Sequence, residues 1–140
     1  MIADGHHLPP AVLRVLMRVK TPARLIVTCD ASSLAGLPPG RYATWGQELE
    51  VLSGGKVVVP GTSFLGGSGV FTDACVRHLV GLGDVRLAEA LDMAGAHPRR
   101  LLGLPAVALE AGAPADLILF DHGPDEPFHL RETLVAGEPV

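Results

Sequence analysis

A chain of 140 residues that is 48% hydrophobic and 19% charged is long enough to bury one real core, and an aromatic share of 4% means that this core is built mainly from Leu, Val and Ala. The net charge of −4 excludes nucleic acid as a default partner, since neutralising phosphates takes clustered Lys and Arg, and the small basic groups Arg14/Arg18/Lys20 and Arg99/Arg100 read as solvated helix faces. No apolar run approaches the roughly 18 to 20 residues that span a bilayer, and the start has no basic, apolar leader, so the expectation is no membrane and a cytoplasmic protein.

Met1 to Ala3 has the character of a strand end and runs at once into the polar cluster Asp4-Gly5-His6-His7. Pro9-Pro10 open a helix, because proline's missing donor costs nothing in the first turn. Val12, Leu13, Leu16 and Val19 recur at helical spacing and predict its apolar face, and Thr21-Pro22 ends it. Arg24 to Thr28 predicts a short buried strand over Leu25-Ile26-Val27, delivering Cys29-Asp30-Ala31-Ser32-Ser33 at its carboxyl end. Residues 34–46 read as a Gly/Pro-rich loop. Residues 48–52 and 56–60 predict a hairpin turned by Gly54-Gly55, followed by a second loop over 61–69. Helices are predicted from about Thr72 to Leu82, then through Leu87, Leu91 and Met93-Ala94, then over Arg99 to Leu102, where Gly103 stops the last. The tail turns to strands over 115–121 and 129–135, with Gly137-Glu138 turning into Pro139-Val140.

Strand, helix, strand is a βαβ unit, and such folds gather active residues at the carboxyl ends of their strands. Both carboxyl ends here carry polar clusters, His6-His7 on one and Asp30 on the other. That coincidence is the strongest functional signal the residues themselves provide. Adjacent residues in an extended chain face opposite ways, so one of His6 and His7 faces the site while the other packs outward; His7 is the choice for a ligand contact. Cys29 and Cys75 match no zinc spacing and read as free thiols. Gly66-Gly67-Ser68-Gly69 precedes a helix, but with no Lys-Ser or Lys-Thr after it this is no P-loop. His78, His97, His122 and His129 read as structural or solvated.

Six segments together resemble the amidohydrolase superfamily, and within it the deacetylases that act on N-acetylglucosamine 6-phosphate. They are Ile2-Ala-Asp-Gly-His-His, Val27-Thr-Cys-Asp-Ala, Leu65-Gly-Gly-Ser-Gly, Val76-Arg-His-Leu-Val, Ala96-His-Pro-Arg-Arg-Leu-Leu-Gly-Leu and Gly112-Ala-Pro-Ala-Asp-Leu-Ile-Leu-Phe-Asp. They follow the family's order and about its spacing over nearly the whole chain. The resemblance implies an α/β fold: the C-terminal fragment of a (β/α)8 barrel, strands seven and eight with their helices, plus strands of a small β-sandwich. On that map residues 1–104 are barrel with an inserted hairpin at 48–60, and residues 105–140 are sandwich strands.

The same resemblance implies site residues. Asp30 takes the place of the catalytic aspartate, which acts as general base on metal-activated water and then protonates the leaving amine. Asp4, Gly5, His6 and His7 fall in the sugar-phosphate-binding stretch. Leu65, Gly66 and Gly67 fall in a loop that contacts substrate through its backbone, where glycine permits close approach. A divalent metal, zinc or iron, is implied, with its glutamate and histidine ligands on strands one to six and none in this chain. Cys29 between Thr28 and Asp30 departs from the family's valine-threonine-aspartate, and the loop around Ser68-Gly69-Val70-Phe71-Thr72 marks a divergent member. The implied partner is a small amino-sugar phosphate. Open sheet edges lead to the expectation of self-association or a homo-oligomer, and of no turnover by these residues alone. The alternatives are another amidohydrolase, acting on a cyclic amide or as a deaminase, and a non-catalytic assembly module that pairs through its exposed strands.

Overall fold

The structure, a computed structural model, describes residues 1–123 and 128–140. Helix α1 spans Pro10–Lys20, with Pro10 in its first turn and Arg18 and Lys20 in its last, where cations complement the helix dipole. It stops at Thr21, which takes φ 62 ahead of Pro22, and a single 3-10 turn at Pro22–Arg24 follows. The chain then runs extended. Leu25, Val27 and Cys29 are buried while Thr28 and Asp30 are exposed, the period-2 alternation of a strand with one covered face. Its pairing is slight: Ile2 and Thr28 form a single parallel bridge, with Ala3 N–H on Thr28 O at 3.2 Å and Thr28 N–H on Met1 O at 3.0 Å. The strand expected over 24–28 is thus extended chain with one bridge, because only three residues lie alongside it to form a ladder.

Beyond Asp30 the chain changes partners. Ala31 bridges Ser68 in parallel, with Ser68 N–H on Asp30 O at 2.7 Å and Ser32 N–H on Ser68 O at 2.8 Å. Ser68 ends a four-stranded antiparallel sheet, β1 (Gly40–Thr44), β2 (Gln47–Val51), β3 (Lys56–Val58) and β4 (Leu65–Ser68), paired in that order. The hairpin expected at 48–60 is the inner pair of this sheet. The stretches 34–46 and 61–69, expected as loops, supply its outer strands. Trp45 and Gly46, at φ 49 and 77, make the two-residue turn that joins β1 to β2, since Thr44 pairs with Gln47.

Three helices complete the body: α2 (Thr72–Gly81), α3 (Leu87–Ala94) and α4 (Ala96–Leu101). Arg86 N–H donates to the Glu89 carboxylate at 3.0 Å and so satisfies one free donor at the start of α3. Leu13, Met17, Leu25, Val27, Cys29, Cys75, Val76, Leu79, Ala90 and Met93 form one core, and Leu34, Leu49, Val51 and Val57 a second beneath the four-stranded sheet. Each fully buried Leu or Met contributes about 1.5–3 kcal/mol. The apolar face expected on α1 is corrected: Leu13 and Met17 are buried, whereas Val12, Val15 and Val19 point outward, Val19 at 72% exposure.

The tail is a three-stranded antiparallel sheet, β5 (Leu117–Asp121), β6 (His129–Val135) and β7 (Glu138–Pro139). Its last turn is Ala136-Gly137, one residue earlier than expected, with φ 52 and 87. Asp116 Oδ1 accepts from Ala136 N–H at 2.8 Å and holds the entry to β5, and Phe128 anchors the tail by inserting into the helical core. Among the described residues no helix is long and apolar enough to cross a membrane.

Candidate active site

The two polar clusters meet. The Ile2–Thr28 bridge sets the segments side by side, so the residues just beyond it, Asp4 to His7 and Asp30, emerge together. Asp4 has a side chain with 0% exposure, and both of its oxygens are hydrogen-bonded. Its Oδ1 accepts from His6 N–H and His7 N–H, both at 3.0 Å, and its Oδ2 meets His7 Nδ1 at 2.8 Å. Burial opposes ionisation of this carboxyl, but the His7 and His6 backbone donors and the His7 ring outweigh it and hold Asp4 below the usual carboxylate range. The far nitrogen of the same imidazole, Nε2, lies 3.2 Å from Asp30 Oδ2. Asp4, His7 and Asp30 therefore stand in line, with the imidazole between two carboxyls.

Asp30 is the accessible member, its side chain 53% exposed. Its backbone is in the left-handed region, φ 59, which few side chains other than Asn and Asp adopt and which costs on the order of 1–3 kcal/mol. The strain falls where the chain leaves its pairing with Ile2 and takes up Ser68, and it is held by the Ser68 N–H to Asp30 O bond of 2.7 Å. Beside it opens a cleft of about 290 Å³, lined by Asp30, Ser32, Ser33, Thr44, Trp45, Gln47, Gly66 and Gly67. Gly67, at φ 95, passes so close that a β-carbon there would sit 3.0 Å from Ser32 Cβ and 3.1 Å from Asp30 O. Ser33 and Thr44 hydroxyls pair across the cleft at 3.1 Å.

The other expected residues lie apart. His6 Nε2 meets Gly54 O at 3.0 Å, tying the polar loop to the β2–β3 turn. Gly5, at φ 83, rides over the His78 ring, and His78 Nε2 is buried without a hydrogen-bond partner among the described residues. Leu65 pairs with Val58 and does not line the cleft. Residues that sequence reasoning passed over do line it, among them Thr44, Gln47 and Trp45, the last 89% exposed. The signal that could have found Trp45 is the x-Gly dipeptide between two alternating runs, which marks a tight hairpin even when x is not Asn or Asp. Among the described residues no three His, Cys, Asp or Glu side chains converge as a metal site would require.

No family model matches the chain. It is 42% identical to N-acetylglucosamine-6-phosphate deacetylase of Danio rerio over 142 residues, covering 100% of this chain and 34% of that protein. It is 36% identical to an Escherichia coli K12 protein provisionally named an N-acetylgalactosamine-6-phosphate deacetylase, covering 99% of this chain and 80% of that one. Among solved structures, a variant of the Mycobacterium smegmatis N-acetyl-D-glucosamine-6-phosphate deacetylase, in complex with N-acetyl-D-glucosamine-6-phosphate, superposes with a TM-score of 0.83 at 32% identity, covering 99% of this chain and 36% of that one. The chain thus spans about a third of the zebrafish and mycobacterial proteins it matches. None of the relatives reported is a cyclic-amide hydrolase, a deaminase or a non-catalytic module.

Proposed function

The chain belongs to the N-acetylglucosamine-6-phosphate deacetylase family and corresponds to its C-terminal portion, and from that premise we propose that it supplies the acid–base half of an amide hydrolase acting on an N-acetylhexosamine 6-phosphate. The observation that carries the reading is the His7 Nε2 to Asp30 Oδ2 contact of 3.2 Å at the mouth of an open cleft. In this reading residues 1–104 are the last strands and helices of a (β/α)8 barrel, with the β1–β4 sheet inserted, and residues 105–140 are part of a small β-sandwich.

Asp30 takes a proton from the water that attacks the acetyl carbonyl carbon, and returns it to the amide nitrogen as the C–N bond breaks, releasing acetate and the free amine. Its half-exposed side chain suits a group that must meet both water and substrate. Gly66 and Gly67, with no side chains, let the pyranose approach the backbone beside Asp30. His7 holds Asp30 in place.

The divalent cation that the family resemblance implies is not accommodated by this chain's own donors. No three ligand-type side chains converge among the described residues, and the imidazole beside Asp30 has its Nδ1 engaged by Asp4. No step here is routed through a metal; its ligands belong, in this proposal, to the two thirds of the relatives' length that these residues do not match.

A chimera tests the proposal. These residues replace the matching third of the zebrafish enzyme, and acetate release from N-acetylglucosamine 6-phosphate is measured. Activity is expected, and Asp30→Asn is expected to lower kcat by about 10²–10⁴-fold, the usual worth of a positioned general base. A chimera that keeps its rate with Asp30→Asn overturns the assignment.

A further inference from the structure

We propose that Asp4 is a positioning residue of this site: its carboxylate fixes a proton on His7 Nδ1 and so sets which face of the imidazole, the Nε2 side, stands beside Asp30. Its bearing on catalysis rests on the reading of Asp30 as the base; the tautomer stands on geometry alone.

An ionised carboxylate has only acceptors. Asp4 Oδ2 lies 2.8 Å from His7 Nδ1, so that nitrogen is the donor and carries hydrogen. A neutral imidazole protonated on Nδ1 has a bare Nε2, which can only accept. Asp30 Oδ2 stands 3.2 Å from Nε2. Asp30 Oδ1 has no partner among the described residues, which leaves it free for water or substrate.

Asp4 is built for this task and for no contact with ligand. Its side chain is wholly buried, and Oδ1 is spent on the backbone N–H groups of His6 and His7, which locks the carboxylate plane relative to the ring it orients. His6 fixes the same loop from the other side through Gly54 O. Asp30 gains a proton from water and gives one to the amine, and an imidazole fixed 3.2 Å away bounds its carboxyl through both states.

Replacing Asp4 by Asn separates this role from mere folding. The amide oxygen of Asp4→Asn still accepts from His6 and His7 N–H, but its NH₂ now faces Nδ1 as a donor. Nδ1 must then be bare, and the ring proton moves to Nε2. The test is a long-range ¹H–¹⁵N spectrum of the imidazoles in the labelled chain, without substrate, for wild type, Asp4→Asn and Asp30→Asn. Wild type is expected to show His7 protonated at Nδ1. Asp4→Asn is expected to move Nδ1 to the shift of a bare ring nitrogen, and Asp30→Asn to leave Nδ1 protonated. A bare Nδ1 in wild type, or an Nδ1 shift unchanged in a folded Asp4→Asn, overturns the proposal. Should Asp4→Asn fail to fold, wild type and Asp30→Asn decide the matter by themselves. Because no substrate enters, failure here is distinguishable from failure of the deacetylase reading, which the chimera tests.

Discussion

Gly67→Ala is the sharpest probe of how Asp30 is held. At φ 95 an alanine is strained by about 1–2 kcal/mol whatever its surroundings. The added β-carbon would also lie 3.0 Å from Ser32 Cβ and 3.1 Å from Asp30 O, inside the roughly 3.5–4.0 Å at which carbons pack. One of those neighbours is backbone and cannot rotate away, so overpacking adds about 1–3 kcal/mol. The total is about 2–5 kcal/mol. Gly61→Ala is the control: its φ is 75, but a β-carbon there meets nothing within 4 Å, so it bears only the conformational cost of about 1–2 kcal/mol. Urea unfolding of the two variants, compared at constant m-value, reads the difference. The excess loss in Gly67→Ala is expected together with a change at the His7 imidazole, because the clash pushes on the carbonyl that Ser68 holds. Equal losses for the two glycines would refute the tight approach and with it the account of how Asp30 is fixed.

Three other outcomes follow from the same structure. Asp4 binds its proton less tightly folded than unfolded, so its contribution is present above the unfolded value of about 3.9 and is lost as pH falls through the lower folded value; the stability gap between wild type and Asp4→Asn should narrow on acidification, and a gap that widens in acid speaks against it. Burial, helped by the nearby Cys29 and Asp4, pushes the Cys75 thiol up to about 12, so a thiol reagent at mildly alkaline pH should reach Cys75 only after unfolding, and fast labelling of the native chain would contradict this. The accessible surface is 8797 Å² for 14.6 kDa, whereas a compact monomer of that mass exposes about 6,900 Å². An excess of about 1,900 Å² with Val15, Val19, Leu101 and Leu102 exposed predicts self-association on size exclusion, and a sharp monomer at high concentration would count against it.

Periodicity within one segment was enough to read α1, α2, α3, β5 and β6, because each has a run of apolar residues at the spacing of its own structure. It was not enough for β1 and β4. Leu65-Gly66-Gly67-Ser68 has no alternation to see, since its strand state comes from hydrogen bonds to Lys56–Val58 and to the Asp30–Ser32 segment. Gly40–Thr44 was hidden by the prolines before it and by an unusual turn residue, Trp45. The order of apolar faces also escaped a one-dimensional reading: the valines of α1 repeat at helical spacing, yet the core takes Leu13 and Met17.

What the sequence determined by itself was the pair of polar clusters at two strand ends, and the likeness that named their chemistry. Which residues in those clusters address one another was decided only in three dimensions. Asp4 reads as a loop carboxylate and His7 as a ligand contact until the Ile2–Thr28 bridge brings Asp30 across; then one imidazole stands between two carboxyls, bonded to Asp4 and 3.2 Å from Asp30. Side-chain types and local spacing are properties of a segment, whereas the meeting of His7 and Asp30 is a distance of 3.2 Å between groups 23 residues apart, and only the packing of one strand against another sets it.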